Sequence, residues 1–357
     1  MKPTRQALRR CALLCSLLFC MVAPAKGQTL ATVGDDFWLG FMNNTGSSNE
    51  ELRLFITSQV ATSGTVEILL FGWSVNFTVV PNVTTTVIVP LGMGETLSHD
   101  VVDTKGIHVY LNDDISLFAI NFSVFSADAS KILPTQSLGT DYLVSAYRGI
   151  TNITRSEMLI VATEDNTEIE ITPSVQTQGG FPAGVPYLIN LDQGECYQIR
   201  ANNTTQDLTG TRVTGTLTSG DCRPFAVFVG AQCANVPTTC TTCDHLFDQQ
   251  FPTFVWGTEY YMPNFESTGV YTYRILAKDN GTQVSVDGGP VQSLNAGQFI
   301  EVNDEAQPRQ ITSNLPVQVV QLMQGDNCSL NGDPAMLILN VHDQKISYSL
   351  KCRIVKP

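Results

Sequence analysis

The octapeptide GDDFWLGF, which begins at Gly34, returns as GTDYLVSA from Gly139 and as GTEYYMPN from Gly257. All three share the pattern Gly-x-acid-aromatic, and they start 105 and 118 residues apart. Each is followed by a pair of apolar runs, a further run, and a closing pair rich in Val, Ile and Phe. Self-similarity at such a period indicates three copies of one structural unit.

The runs within each copy predict β-strands. They are short, rich in Val, Ile, Thr, Phe and Tyr, and bounded by Gly, Asn, Asp or Pro. The turns Asp165-Asn166 and Asp279-Asn280-Gly281 suit tight hairpins. We count about eight strands per copy and predict an all-β protein. Three tandem β-sandwiches are our first interpretation, and a closed six-bladed β-propeller is the alternative, since both need alternating strands.

The N-terminus predicts the compartment. Lys2, Arg5, Arg9 and Arg10 precede an apolar stretch, and small residues follow just before Gln28, as in a cleaved secretory signal peptide. We therefore expect a secreted, extracellular protein without a membrane anchor. The predicted divisions are a signal peptide at 1–27, repeat 1 at 28–133, repeat 2 at 134–252, repeat 3 at 253–344 and a closing strand at 345–357.

Charge and motifs narrow the function classes. The net charge of −13 becomes −18 once five basic residues leave with the signal peptide, and no basic run follows. These features exclude a nucleic-acid binder, which needs a basic surface. The sequence has no nucleophile elbow, phosphate-binding loop or dinucleotide fingerprint, so we predict no catalytic residue, no metal and no cofactor. The alternative is an extracellular enzyme that acts on glycans through carboxylates in a central channel.

Sequons for N-glycosylation fit the secretory pathway. Nine Asn residues precede x-Ser/Thr: Asn43, Asn76, Asn82, Asn121, Asn152, Asn202, Asn203, Asn280 and Asn327. Asn121 lies within an apolar run, where the folded chain would shelter it.

Seven cysteines remain after the signal peptide, and an odd number leaves one thiol free or bonded to another chain. Cys196 and Cys222 lie in successive predicted strands and are natural partners. Cys328 and Cys352 would close the C-terminal end. Cys233, Cys240, Cys243 and His245 have the spacing of a zinc site, but an oxidising compartment favours disulfides.

The acids and aromatic residues of the octapeptides each allow two interpretations. Asp35, Asp36, Asp141 and Glu259 are candidate calcium ligands, although turn and strand-end positions explain them more simply. The neighbouring aromatic residues suit stacking on sugars, but we expect core packing instead. They are Phe37, Trp38, Tyr142, Tyr260 and Tyr261.

The segment PFAVFVGAQCANVP…CDHLFDQQFPTFVWGTEY, from Pro224 to Tyr260, carries a family resemblance, together with Ile132-Leu133-Pro134 and Asp333-Pro334. These residues resemble the N-terminal region of IgG Fc-binding mucus proteins. The resemblance implies a disulfide between Cys233 and Cys243. Cys240 is then an addition, unpaired or available for a disulfide-linked oligomer.

The same resemblance implies a non-catalytic binding or structural role in mucus, extracellular matrix or surface defence. The implied partner is an extracellular protein or glycan. Immunoglobulin Fc is a secondary candidate, because no Fc-binding residues of the family can be placed on this sequence, and the ligand-binding residues stay unassigned.

Overall fold

The computed structural model of the protein describes residues 30–45, 50–216, 223–266 and 268–342. This part of the chain is all-β, as predicted. Its named strands pair antiparallel, and its helical segments are one short helix and three 3-10 turns. None of these is long and apolar enough to cross a membrane. The helical segments are α1 Leu91–Gly94 and the turns Leu69–Phe71, Thr135–Ser137 and Thr253–Val255. The predicted signal peptide and closing strand lie outside the described residues.

The first set of strands, called repeat 1 below, forms two four-stranded sheets that share one long strand. Its strands are β1 Gly34–Leu39, β2 Glu51–Thr57, β3 Thr62–Ile68, β4 Trp73–Val79, β5 Thr85–Val89, β6 Val102–Asp103, β7 Ile107–Ser123 and β8 Ser126–Ile132. The first half of β7 pairs with β1 and β3, and the second half pairs with β2 and β8. The two sheets therefore run β4-β3-β7-β1 and β5-β2-β7-β8.

Repeat 2 has the same plan with one interruption. Its strands are β9 Asp141–Leu143, β10 Ser156–Ala162, β11 Thr167–Thr172, β12 Tyr187–Leu191, β13 Cys196–Arg200, β14 Arg212–Gly215, β15 Phe225–Asn235 and β16 Cys243–Gln249. Two strands, β14 and β15, take the place of the shared strand. The sheets are β12-β11-β14-β9 and β16-β15-β10-β13, and β6 of repeat 1 extends the second.

Repeat 3 restores the continuous shared strand. Its strands are β17 Gly257–Met262, β18 Tyr271–Ala277, β19 Thr282–Val286, β20 Gln292–Leu294, β21 Phe299–Glu305, β22 Arg309–Met323 and β23 Ala335–Ile338. β22 pairs with β17 and β19 in its first half and with β18 and β23 in its second. Each repeat is thus a sandwich-like unit, and the described strands do not show the closed six-bladed propeller of the alternative interpretation.

The glycine and aromatic residue of each octapeptide explain why the pattern recurs. A Cβ on Gly34, Gly139 or Gly257 would overlap Pro134, Pro252 or Val341, in the chain that follows the last strand of the same repeat. Three residues after the glycine, the ring is buried in every repeat, as the core-packing interpretation predicts. Only glycine, which has no side chain, allows the later chain to pass so close to the first residue of each octapeptide.

The repeats do not have separate cores. Leu159, Val161 and Phe228 of repeat 2 belong to the same apolar cluster as the core of repeat 1, and Met336 and Ile338 of repeat 3 join the core of repeat 2. Every residue of β10 and of β18 is buried, so these central strands are covered on both faces. Burial of this shared surface stabilises the three repeats as one body.

Arg274 of β18 in repeat 3 contacts residues of repeat 2. Its guanidinium lies between the rings of Tyr147 and Phe299, 4.3 and 4.6 Å from their centroids. It pairs with Asp207 at 3.2 Å and with Glu301 at 2.7 Å. Since the arginine is buried, both partners and both rings are needed to offset its lost hydration.

Candidate functional site at the junction of the three repeats

The last strands of the three repeats, β8, β16 and β23, meet at a junction that buried carboxylates hold together. Asp128 of β8 accepts hydrogen bonds from the backbone N–H groups of Phe247 (3.0 Å) and Met336 (3.2 Å). One side chain of repeat 1 therefore satisfies backbone donors of both other repeats. Buried donors without partners cost free energy, so Asp128 permits strands to meet without a shared ladder.

Asp248 of β16 acts in the same way. It accepts from the Ser130 hydroxyl of repeat 1 at 2.8 Å and from the Ile338 N–H of repeat 3 at 2.9 Å. Burial raises the pKa of Asp248 to about 6 and raises that of Asp128 well above its ordinary value, although hydrogen bonds oppose both shifts. The junction thus keeps two carboxyl groups away from water.

Asp244 lies at the start of β16 and forms the third link. It accepts from the N–H groups of Ala127 (2.5 Å) and His245 (2.7 Å), and its carboxyl group meets that of Asp333 from repeat 3. Burial and the neighbouring charge of Asp333 raise the pKa of Asp244. Two carboxyl groups in contact hold a proton between them more readily than either does alone.

Two disulfides fix the loops that lead into these strands. Cys233 joins Cys243, with Cα atoms 5.5 Å apart, and Cys240 joins Cys328 of repeat 3, with Cα atoms 5.8 Å apart. The Gly325 N–H donates to the Val236 carbonyl at 3.0 Å. This hydrogen bond joins the same two loops that the Cys240–Cys328 disulfide connects. The second disulfide was not expected from the sequence, because Cys240 was predicted to be unpaired or bonded to another chain.

The structure therefore corrects part of the predicted pairing. Cys240 is bonded within the chain, so it is not the thiol that would link two chains. Cys328 is already paired, and its expected partner Cys352 lies outside the described residues. Cys196 is a buried free thiol whose pKa burial raises to about 11; Cys222 is also outside the described part of the chain.

Exposed apolar side chains project near these loops. Phe125, in the turn between β7 and β8, is 83% exposed, and Leu330, in the loop of repeat 3, is 72% exposed. Phe125 directly precedes Ser126, whose hydroxyl accepts from the His245 N–H at 2.9 Å. We call Val124–Phe125 and the loops 236–242 and 325–334 the loop platform.

The residues that have the spacing of a zinc site are engaged otherwise. Cys233, Cys240 and Cys243 are in disulfides, and His245 is fully buried, with Nδ1 3.3 Å from the Gln232 carbonyl. Burial lowers the pKa of His245 to about 4. Among the described residues, no group of three or more His, Cys, Asp or Glu is arranged to hold a metal ion.

Three of the four candidate calcium ligands are likewise bound by protein groups. Asp36 contacts His108 at 2.8 Å, Asp141 pairs with Arg212 at 2.9 Å, and Glu259 accepts from Gln310 at 2.8 Å. Each of these three acids thus reaches across to the strand that pairs with its own. Tyr261 differs from the other octapeptide aromatics in being exposed.

A buried carboxylate also lies at the seam between repeats 1 and 2. Glu157 is fully buried and lies 3.3 Å from Arg200, which also donates to the Asn43 side chain at 3.1 Å. Burial raises the pKa of Glu157 to about 8, and Arg200 opposes this shift only in part. A glycan cannot reach Glu157. Among four clefts formed by described residues, one is lined by a carboxylate, Asp207, and the other three are lined by none. None of the four therefore offers the two carboxylates that a glycan-acting enzyme requires.

The sequons separate into two groups. Asn121 is 1% exposed and donates to the Met42 carbonyl at 2.9 Å, so the folded chain shelters it, as its place in an apolar run predicts. The half-buried Asn43 is held by Arg200 and Gln232. The other seven are exposed: Asn76, Asn82, Asn152, Asn202, Asn203, Asn280 and Asn327.

Comparison with known proteins identifies the family of this chain. The family described as IgGFc binding protein matches residues 128–351, a range that begins at Asp128 and includes all three junction strands from that residue onward. The chain belongs to this family. The human protein named IgGFc-binding protein is 25% identical over 314 residues, which are 85% of this chain. The match spans 6% of that relative's length.

The sequence indicates the importance of Cys233, Cys243 and the Cys-Asp-His segment, but it does not reveal the role of the carboxylates. Asp128, Asp244 and Asp248 lie on strands, where an acid is usually interpreted as facing solvent. The available signal was the resemblance itself, since its most specific residues fall on β16 and the loops before it.

Proposed function

We propose that this protein is a secreted, non-catalytic binding protein that holds an extracellular protein ligand on the loop platform. The observation that carries the proposal is the covalent link between loops of repeats 2 and 3, close to a turn that exposes Phe125. Loops that are already fixed lose little conformational entropy on binding. A large exposed aromatic side chain is the kind of residue that contributes most to a protein interface.

The compartment supports this proposal. Disulfides persist in oxidising environments, and the predicted signal peptide and exposed sequons suit the secretory pathway. A role in mucus, matrix or surface defence is the part that rests on the family. The name of the human relative makes immunoglobulin G Fc the first protein ligand to test.

The test uses the full chain secreted from animal cells, with an immobilised immunoglobulin G Fc fragment as the probe. We expect Phe125→Ser to weaken binding about 30-fold or more, the effect of removing a central interface residue. Val291→Ser is the matched control, because Val291 is similarly exposed but lies in the turn between β19 and β20. Equal binding by the two variants would exclude the platform.

Failure of the unaltered protein to bind Fc would exclude Fc as the ligand. A glycan array then tests the glycan alternative directly. Binding there that is unaffected by Phe125→Ser would move the site to another surface.

A further inference from the structure

An open groove of about 510 Å³ crosses the exposed face of the β4-β3-β7-β1 sheet. Asn76, Thr65 and Tyr110 lie side by side on three neighbouring strands, and their side chains share this face. The Thr65 hydroxyl donates to the Asn76 Oδ1 at 2.9 Å. The carbonyl end of the Asn76 amide is therefore fixed, and its Nδ2 is the end left for modification.

The ring of Tyr110 is exposed on this face and is held in place by neighbouring rings. Its ring lies 4.9 Å from the His108 ring, which stacks on Trp38 at 4.1 Å with an interplanar angle of 7°. Asp36 and Glu67 hold the two nitrogens of His108 at 2.8 and 3.2 Å. Tyr110 is 39% exposed above this stack, so it offers a ring to a ligand without a loss of side-chain freedom.

We propose that Asn76 carries an N-linked glycan whose first sugars lie in this groove against Tyr110, as a fixed part of the protein surface. Asn76-Phe77-Thr78 is a sequon on an exposed strand. Its Nδ2 displaces the pyrophosphate from C1 of a lipid-linked oligosaccharide: the C–N bond forms, the C–O bond breaks, and the nitrogen loses one proton. Asn76 and Tyr110 are two strands apart, about 10 Å, which places the second sugar over the ring.

The position of β4 gives this glycan a further role. β4 is the edge strand of its sheet and exposes Val75, and Val80, directly after the strand, is exposed as well. An unprotected edge with apolar side chains can pair with another chain. A glycan held across the face beside that edge obstructs such pairing.

The first measurement is glycopeptide mass spectrometry of the secreted chain, with Asn280 as the matched exposed sequon. We expect Asn76 to be occupied and its glycan to resist release by a peptide N-glycosidase from the native protein, relative to the glycan on Asn280. An unmodified Asn76, or equal release from the two sites, would overturn the proposal.

A double-variant cycle tests the contact with the ring. We expect Asn76→Gln to lower the melting temperature by about 2–4 °C. Asn280→Gln, which loses an exposed hydrogen bond from the Ala296 N–H, should lower it less. Tyr110→Ala should cost more in the glycosylated protein than in the Asn76→Gln background, whereas Tyr110→Phe, which keeps the ring, should retain the coupling. Additive effects of Asn76→Gln and Tyr110→Ala would contradict the contact.

Discussion

The aromatic residue of each octapeptide shows how far a single position could be predicted. Burial of the rings followed from their place in apolar runs. Where the ring belongs to a tyrosine, its hydroxyl group also makes hydrogen bonds. The Tyr142 hydroxyl accepts from the Gly139 N–H at 2.9 Å and donates to the Phe225 carbonyl at 2.7 Å. Tyr260 repeats this arrangement with Gly257 and Val317. Repeat 1 has Phe37 there, so the sequence pattern alone did not reveal a hydrogen-bonding role.

We predict that Tyr142→Phe destabilises the protein by about 1–3 kcal/mol, because it leaves a buried N–H and a buried carbonyl without their partner. Tyr261→Phe is the control: Tyr261 also makes hydrogen bonds through its hydroxyl, but it is 52% exposed, and water replaces them. Urea unfolding of both variants measures the difference. Equal free energies of unfolding would show that the Tyr142 hydroxyl contributes nothing.

Whole elements were predicted more completely than their connections. The alternation of apolar residues identified the strands, and the repeat identified their common plan. The pairing of β6 with β13 of the next repeat was not predictable, because two residues carry no periodic signal. The Cys240–Cys328 link joins loops 88 residues apart, and a distance of that kind depends on how the repeats pack against one another.

The two disulfides should differ in what they contribute. Closing an 88-residue loop restricts the unfolded chain by about 4–5 kcal/mol, and closing a 10-residue loop by about 2–3 kcal/mol. We therefore expect the double variant Cys240→Ala/Cys328→Ala to lose more stability than Cys233→Ala/Cys243→Ala. Urea unfolding without reductant gives the comparison. Peptide mapping that instead joins Cys328 to Cys352 would contradict the premise.

The assembly of the whole molecule depends on residues that carry no repeat signal. Repeat 1 supplies Asp128 and repeat 2 supplies Asp244 and Asp248, whereas β23 contributes backbone N–H groups to them. Because the three repeats use different residues at their common junction, no internal comparison of the sequence identifies it. The fold of each unit was therefore accessible from the sequence, but the way in which three units form one body was not.

The junction also predicts how stability depends on pH. Burial raises the pKa of Glu157 to about 8. Burial and the charge of Asp333 also raise the pKa of Asp244, which adjoins His245, and Asp333 itself lies near the charge of Asp326. Above about pH 4.5 the unfolded chain releases protons that the folded protein keeps, so this stability is full at low pH and is lost as pH rises towards 8. We expect the protein to be more stable at pH 6.5 than at pH 8, by up to about 1.4 kcal/mol per pH unit for each retained proton. His245 opposes the trend only below pH 6.5, where the unfolded chain gains its proton.

Asp244→Asn separates the junction from the seam in that experiment. The amide imitates the protonated carboxyl: its oxygen can still accept from Ala127 and His245, and its nitrogen can donate to Asp333. We expect this variant to gain stability at pH 8 and to show a smaller pH dependence, while Glu157 and the buried Asp128 account for the remainder. Asp113→Asn, on the exposed part of β7, is the matched control and should retain the full dependence. Urea unfolding at both pH values decides the matter, since an unchanged slope in Asp244→Asn would mean that the carboxyl pair holds no proton between the repeats.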